Sequence, residues 1–267
     1  MKHRVLSIGI ALCAVAIAAR LFGQESVEEF VSRKYTNSDG ATMPYRLFIP
    51  RAYDRDRSYP LVVYLHGGGG LGSDNLKQIS GGNTNGTQVW ISQAAQSKHP
   101  AFVIAPQAPE GATWGGPDAS ELSSPALLML EILEGLQREF SIDRTRLYLT
   151  GQSLGGFGTW DIIIRRPDLF AAAVPLCGGG SLNQSPFRTV YRPADVETIK
   201  GMPIWVFHGA DDESVPVQGS REMVATLRKL GSKIKYTEYP RVGHAVWEHA
   251  YAEPALIDWM FAQRRFH

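Results

Sequence analysis

Hydrophobic residues in this chain fall into short runs separated by polar, glycine-bearing segments, and the spacing of those runs sets the expected elements. Tyr59 to Leu65 reads Tyr-Pro-Leu-Val-Val-Tyr-Leu, continuously apolar, as a strand covered on both faces should be. Phe102 to Ala105, Leu147 to Thr150, Ala171 to Leu176, Ile204 to Phe207 and Lys235 to Tyr239 supply further strands. Phe30 to Tyr35 and Met43 to Ile49 form an antiparallel pair across the turn Asn37-Ser38-Asp39-Gly40, and Pro50 ends the second.

Between these runs the apolar period lengthens to that of a helix. Val89 to Ser97 is one helix; a second opens at Pro125, with Ser124 as its cap, and runs to Phe140 with Met129, Ile132, Leu133, Leu136 and Phe140 on one face. Others follow at Thr159 to Arg165, at Gln218 to Leu230 with Gly231 as its stop, and at Pro254 to Arg265. Strand and helix alternate through most of the chain, which predicts an α/β fold: a mostly parallel central sheet with helices on both faces. The weakly periodic stretch from Cys177 to Lys200 is the only room for a lid, and a minimal one.

The first residues are of another kind. Lys2, His3 and Arg4 precede an uncharged run, Val5 to Ala19, too short for a spanning helix and of the right length for a signal peptide over residues 1–23. That leaves 24–267 as a single domain, exported to the periplasm or medium of a bacterium with no stable membrane anchor after cleavage. Of the two cysteines, Cys13 leaves with the signal, so Cys177 has no intramolecular disulfide partner.

Charge narrows the function. Lys plus Arg number 27 against 26 Asp plus Glu, with no basic stripe, so nucleic acid is not an expected partner. No His, Cys, Asp or Glu spacing suggests a metal, and none is expected. Gly67-x-Gly69-x-x-Gly72 imitates a dinucleotide fingerprint, but no helix opens on it and no strand-end acid follows, so no cofactor is expected.

What remains is a pattern for acyl transfer. Gly151-Gln152-Ser153-Leu154-Gly155 joins a strand to a helix, the sharp turn that presents a nucleophilic serine. The pair Asp211-Asp212 follows a later strand, and His244 follows the last one. Nucleophile, acid and base in that order, each at a strand carboxyl end, is the order of an α/β-hydrolase sheet. The Leu154 N–H, helped by its helix dipole, and the N–H of Gly68 or Gly69 are candidate oxyanion donors. His66 and His208, each before a glycine, are read as structural ties. Trp114 is read either as an aromatic wall of the substrate site or as packing, and Trp247 as lining the site or bracing the His244 loop.

His66-Gly67-Gly68-Gly69-Gly70, Gly151 to Gly156, His208 to Pro216 and Gly243-His244 together resemble the α/β-hydrolase superfamily, and within it small secreted esterases of the polyhydroxybutyrate depolymerase and feruloyl or acetylxylan esterase type, often labelled predicted peptidases. The superfamily pattern His-Gly, two residues, Asp, two residues, Val-Pro selects Asp212 as the acid, with Asp211 in the turn. The resemblance implies a secreted serine carboxylesterase acting on small or carbohydrate-linked acetyl or feruloyl-type esters through Ser153, His244 and Asp212. Its alternatives are a peptidase on short peptides, a polyester depolymerase, an acyltransferase and, least of all, a non-enzymatic binding protein. Gln152 replaces a His often found before the serine, and paired cysteines and a polymer-binding module are absent, which weakens the depolymerase alternative.

Overall fold

The computed structural model describes residues 28–116, 121–179 and 191–265. The amino-terminal half holds β1 (Val31–Thr36), β2 (Thr42–Phe48), β3 (Tyr59–Leu65), α1 (Thr84–Ile91), α2 (Gln93–Lys98), β4 (Phe102–Pro106) and α3 (Ser124–Glu139). The rest holds β5 (Ile142–Gln152), α4 (Leu154–Arg165), β6 (Ala172–Leu176), α5 (Pro193–Glu197), β7 (Trp205–Gly209), α6 (Gln218–Lys229), β8 (Lys235–Tyr239), α7 (Trp247–Ala250) and α8 (Leu256–Phe261). The expected signal peptide lies outside the described residues, as do residues 180–190 of the stretch expected to form the lid.

The strands make one sheet in the order β1-β2-β4-β3-β5-β6-β7-β8. β2 is antiparallel to both its neighbours, and every other adjacent pair from β4 to β8 is parallel. The carboxyl ends of β3, β5, β6, β7 and β8 therefore share one rim, and the loops leaving them converge there.

Alternation along the buried strands decides which layer each side chain joins. Leu61, Val63 and Leu65 of β3 pack with Met129, Ile132 and Leu136 of α3, Trp160 and Ile163 of α4, and Met223 and Leu227 of α6. Val62 and Tyr64 point the other way, to Trp90 of α1, Ala250 of α7, and Leu256 and Met260 of α8. At about 1.5–3 kcal/mol for each large side chain fully buried, these two layers hold the rim rigidly.

Several boundaries differ from the periodic reading. β5 begins at Ile142 rather than Leu147, because the polar run after Ile142 lies half exposed where the strand enters the sheet. The helix expected over Val89 to Ser97 is two helices: Ser92 takes an extended ψ of 148° and its Oγ accepts the Ala95 N–H at 3.2 Å, starting a new helix. Ser123, not Ser124, caps α3, accepting the Ala126 N–H at 3.3 Å. α4 starts at Leu154, well before Thr159, through a glycine-rich first turn of poor intrinsic helix propensity. The last helix is confined to Leu256–Phe261 instead of Pro254 to Arg265.

Candidate active site

Ser153 stands between β5 and α4 with φ 53° and ψ −115°, a conformation that is costly for any residue with a Cβ. Its surroundings impose it. The Ser153 N–H donates to the Leu176 carbonyl of β6 at 2.9 Å, and its own carbonyl accepts the Phe157 N–H at 3.1 Å, so the chain reverses from strand to helix within one residue. The reversal drives Gly155 onto β3: a Cβ there would lie 2.0 Å from the Leu65 carbonyl oxygen. Glycine at this position is a packing requirement.

The loop after β7 carries Asp212 and the loop after β8 carries His244. His244 Nε2 lies 2.8 Å from Ser153 Oγ, and His244 Nδ1 lies 2.7 Å from Asp212 Oδ2. The other carboxylate oxygen, Oδ1, accepts the N–H groups of Ser214 at 2.9 Å and Val215 at 2.8 Å. Asp212 is thereby held with its side chain buried. Asp211 is exposed, and its N–H donates to the Val242 carbonyl at 3.0 Å. With Nδ1–H donated to the carboxylate, Nε2 is free to accept the serine proton, the arrangement that turns a hydroxyl into a nucleophile.

The loop after β3 supplies the facing wall. Gly68 opens a short 3-10 turn, Gly68–Gly70, and Leu154 opens α4, so each offers a backbone N–H that the start of a helix leaves without an intrahelical acceptor. Positions Gly68 and Gly69 have open space where a side chain would stand. His66 Nδ1–H donates to the Gly67 carbonyl at 2.7 Å while its Nε2 accepts the Ala108 N–H at 3.0 Å. Burial, against the pull of the Gly67 carbonyl, holds this imidazole down to about 4, so it is neutral.

Of the two expectations for Trp114, an aromatic wall and packing, the structure has the packing one. Trp114 is fully buried, its Nε1–H donates to the His66 carbonyl at 3.1 Å and its ring meets the His66 ring edge-on at 5.1 Å. It packs behind the oxyanion loop and is not a wall of the substrate site; the glycine-rich context that suggested exposure serves close packing, since a Cβ on Gly158 would stand 2.2 Å from Trp114 Cβ. Trp247 is half-buried and stands edge-on to His244 at 5.5 Å, so it meets solvent beside the base.

Two contributors, Asn83 and Gln107, escaped the sequence reading. Asn83 Oδ1 accepts the Gly67 N–H at 2.9 Å and the Tyr64 hydroxyl at 3.1 Å, fastening the oxyanion loop to β3. Gln107 Nε2 donates to the Gly70 carbonyl at 3.1 Å. Both are isolated amides in polar loops, with no spacing to mark them. Gln152, ahead of the serine, donates Nε2–H to the Gly82 carbonyl at 2.8 Å. Cys177, Asp212 and His244 bring their ligand-type atoms within 4.8 Å of one another, but the hydrogen bond between His244 and Asp212 occupies the donors a metal would need.

A family model described as the prolyl oligopeptidase family matches residues 181–263. Among solved structures, a thermostable esterase is 39% identical with a TM-score of 0.81, over 90% of this chain and 64% of that one. A probable feruloyl esterase C of Aspergillus terreus is 29% identical over 184 residues, 67% of this chain and 58% of that protein. An uncharacterized secreted protein of Arthroderma benhamiae is 29% identical over 210 residues, 72% of this chain. The chain spans 22% of the length of the Arthroderma protein and little more than half of the Aspergillus one. Among the described residues no helix is long and apolar enough to cross a membrane.

Proposed function

The chain belongs to the α/β-hydrolase superfamily, and we propose that within it this protein is a serine carboxylesterase. One observation carries the reading: hydrogen bonds of 2.8 and 2.7 Å link Ser153 Oγ through His244 to Asp212, beside the open N–H groups of Leu154 and Gly68. Ser153 attacks the ester carbonyl as its proton passes to His244 Nε2. The carbonyl oxygen, now negative, is met by the Leu154 and Gly68 N–H groups, with Gly69 beside them. His244 then protonates the departing alcohol, and water, deprotonated by the same nitrogen, releases the acid and restores Ser153.

The substrate class we assign is an acetyl or feruloyl-type ester of a small alcohol or a carbohydrate. Its support is the half-buried Trp247 beside the base, an aromatic surface for a ring, and the likeness to a probable feruloyl esterase. A signal peptide over residues 1–23 and export of domain 24–267 are part of the same proposal, consistent with the likeness to a secreted protein. The prolyl oligopeptidase match favours a second reading, a peptidase on short peptides.

The test is hydrolysis of a short p-nitrophenyl ester together with labelling by a fluorophosphonate. Wild type is expected to do both, and Ser153→Ala and His244→Ala neither, while all unfold at similar temperatures. A wild type inert to both reagents rules the esterase out. Faster turnover of a peptide p-nitroanilide than of feruloyl and acetyl esters moves the assignment to the peptidase.

A further inference from the structure

His208 lies outside the triad, at the carboxyl end of β7, and is fully buried. Its Nδ1 lies 2.8 Å from Ser220 Oγ on α6, and its Nε2 lies 3.0 Å from the Val215 carbonyl. A carbonyl only accepts, so Nε2 carries the proton and Nδ1 accepts the Ser220 hydroxyl. Burial lowers the affinity of this ring for a second proton, against the opposing pull of the Val215 carbonyl and Asp212, so it stays neutral.

The same Nε2 lies 3.2 Å from Asp212 Oδ2, the oxygen that receives His244 Nδ1. The two imidazoles thus flank one carboxylate oxygen. Val215, which accepts from His208, also donates its N–H to Asp212 Oδ1. His208 therefore bears on the carboxylate twice: by standing with Nε2 3.2 Å from Oδ2, and by clamping the turn Asp212 to Val215, in which the N–H groups of Ser214 and Val215 bind Oδ1.

We propose that His208 is a positioning residue of the reaction, a neutral imidazole that fixes the Asp212 carboxylate so that Oδ2 faces His244 Nδ1. The inference rests on the esterase reading for its kinetic consequence, but its structural content does not. Without the clamp, Asp212 is free to rotate about its side-chain torsions, and the His244 ring loses its orientation toward Ser153. A misplacement of about 1 Å at such a site costs on the order of 10²-fold in rate.

The test compares His208→Gln, whose amide nitrogen reaches the position of Nε2, with His208→Asn, whose shorter side chain reaches only Ser220. The Asn variant is expected to lose about 10- to 100-fold in kcat on the p-nitrophenyl ester with KM little changed, and the Gln variant to recover most of the loss. In the Asp212→Asn background the His208→Asn change is expected to cost nothing further, since its effect passes through the carboxylate. Unchanged kcat in the Asn variant, or full additivity with Asp212→Asn, overturns the proposal. Independently of turnover or folding of any variant, nitrogen-15 spectra of histidine-labelled wild type should show His208 protonated on Nε2 and bare on Nδ1. The opposite tautomer also overturns it. An enzyme inactive on every ester but carrying the Nε2–H tautomer would discard the esterase reading and keep the clamp.

Discussion

Gly155 and Leu65 define how close the nucleophile stands to the oxyanion loop: any Cβ on Gly155 would sit 2.0 Å from the Leu65 carbonyl oxygen, which is backbone and cannot swing aside. Leu65 is the last residue of β3, directly before His66 and the glycine run, and Gly155 lies in the first turn of α4. Their contact sets the distance between the two sources of oxyanion donors. Gly155→Ala should therefore act on stability and turnover together. Overpacking of this kind costs about 1–3 kcal/mol, and each kcal/mol lowers Tm by about 2–4 °C in a domain of this size. Thermal unfolding and ester turnover check it; an Ala variant with wild-type Tm and kcat would show that α4 yields more easily than the packing implies.

The acid of the triad is set by geometry that neighbouring aspartates do not share. Asp212 is buried and bonded to His244 at 2.7 Å, whereas Asp211 is exposed. Asp212→Asn should lower kcat by about 10⁴-fold, because an amide stabilises the wrong histidine tautomer. Asp211→Asn should leave kcat within twofold or so of wild type, as an exposed turn residue ordinarily does. Steady-state kinetics on one p-nitrophenyl ester separate the two, and reversal of this order would reassign the acid.

The strands and the triad were legible because their signals are local. Tyr59–Leu65 and Lys235–Tyr239 match the expected boundaries to the residue, since apolar continuity or β-branched and aromatic content marks them without help from the rest of the chain. The start of α4 was marked by the turn motif but not by periodicity: Leu154 to Gly158 has little helix propensity, and Gly155 and Gly156 are required by backbone packed against them from β3 and β6. The two readings of Trp114 stayed open for a similar reason, as a glycine-rich loop reads as exposed until the helix it packs on is known. Asn83, Gln107 and the contact of His208 with Asp212 depend on loops meeting at the rim of the sheet, and a sequence carries no period for such meetings.

His66 gives stability a pH dependence with a definite sign. Its folded value, about 4, lies below the ordinary 6.5, because burial disfavours the imidazolium. Above pH 6.5 the ring is neutral in both states and costs nothing. As pH falls below 6.5 the unfolded chain takes up a proton that the folded one refuses, so stability declines down to about pH 4, by on the order of 3 kcal/mol in all. Asp161, whose carboxyl is raised from its ordinary 3.8 by burial despite Arg165, the Gly116 N–H and Tyr191, acts oppositely, acid relieving its penalty. Urea unfolding at pH 7, 6 and 5 reads the two buried imidazoles, His66 and His208, above most carboxylate titration, and His66→Gln should remove up to about one proton of the slope, leaving the part that belongs to His208. An unchanged slope would place the proton uptake elsewhere.

The two tryptophans near the site should separate cleanly into stability and specificity. Trp114 is fully buried behind His66, so Trp114→Ala removes a packed indole and its hydrogen bond to the His66 carbonyl, at a cost of about 3–5 kcal/mol. The surviving folded enzyme should keep the wild-type ratio of kcat/KM between feruloyl and acetyl esters, because the indole has no surface to offer a substrate. Trp247 presents one face beside His244, so Trp247→Ala should change Tm little and reduce that ratio by about tenfold, the amount a single apolar contact in a pocket typically supplies. Measuring both ratios and both melting temperatures on the same preparations decides the matter. If Trp247→Ala lowered kcat on both esters equally, its edge-on contact would be bracing the catalytic imidazole; a changed ratio in Trp114→Ala would put the buried indole back among the determinants of substrate choice.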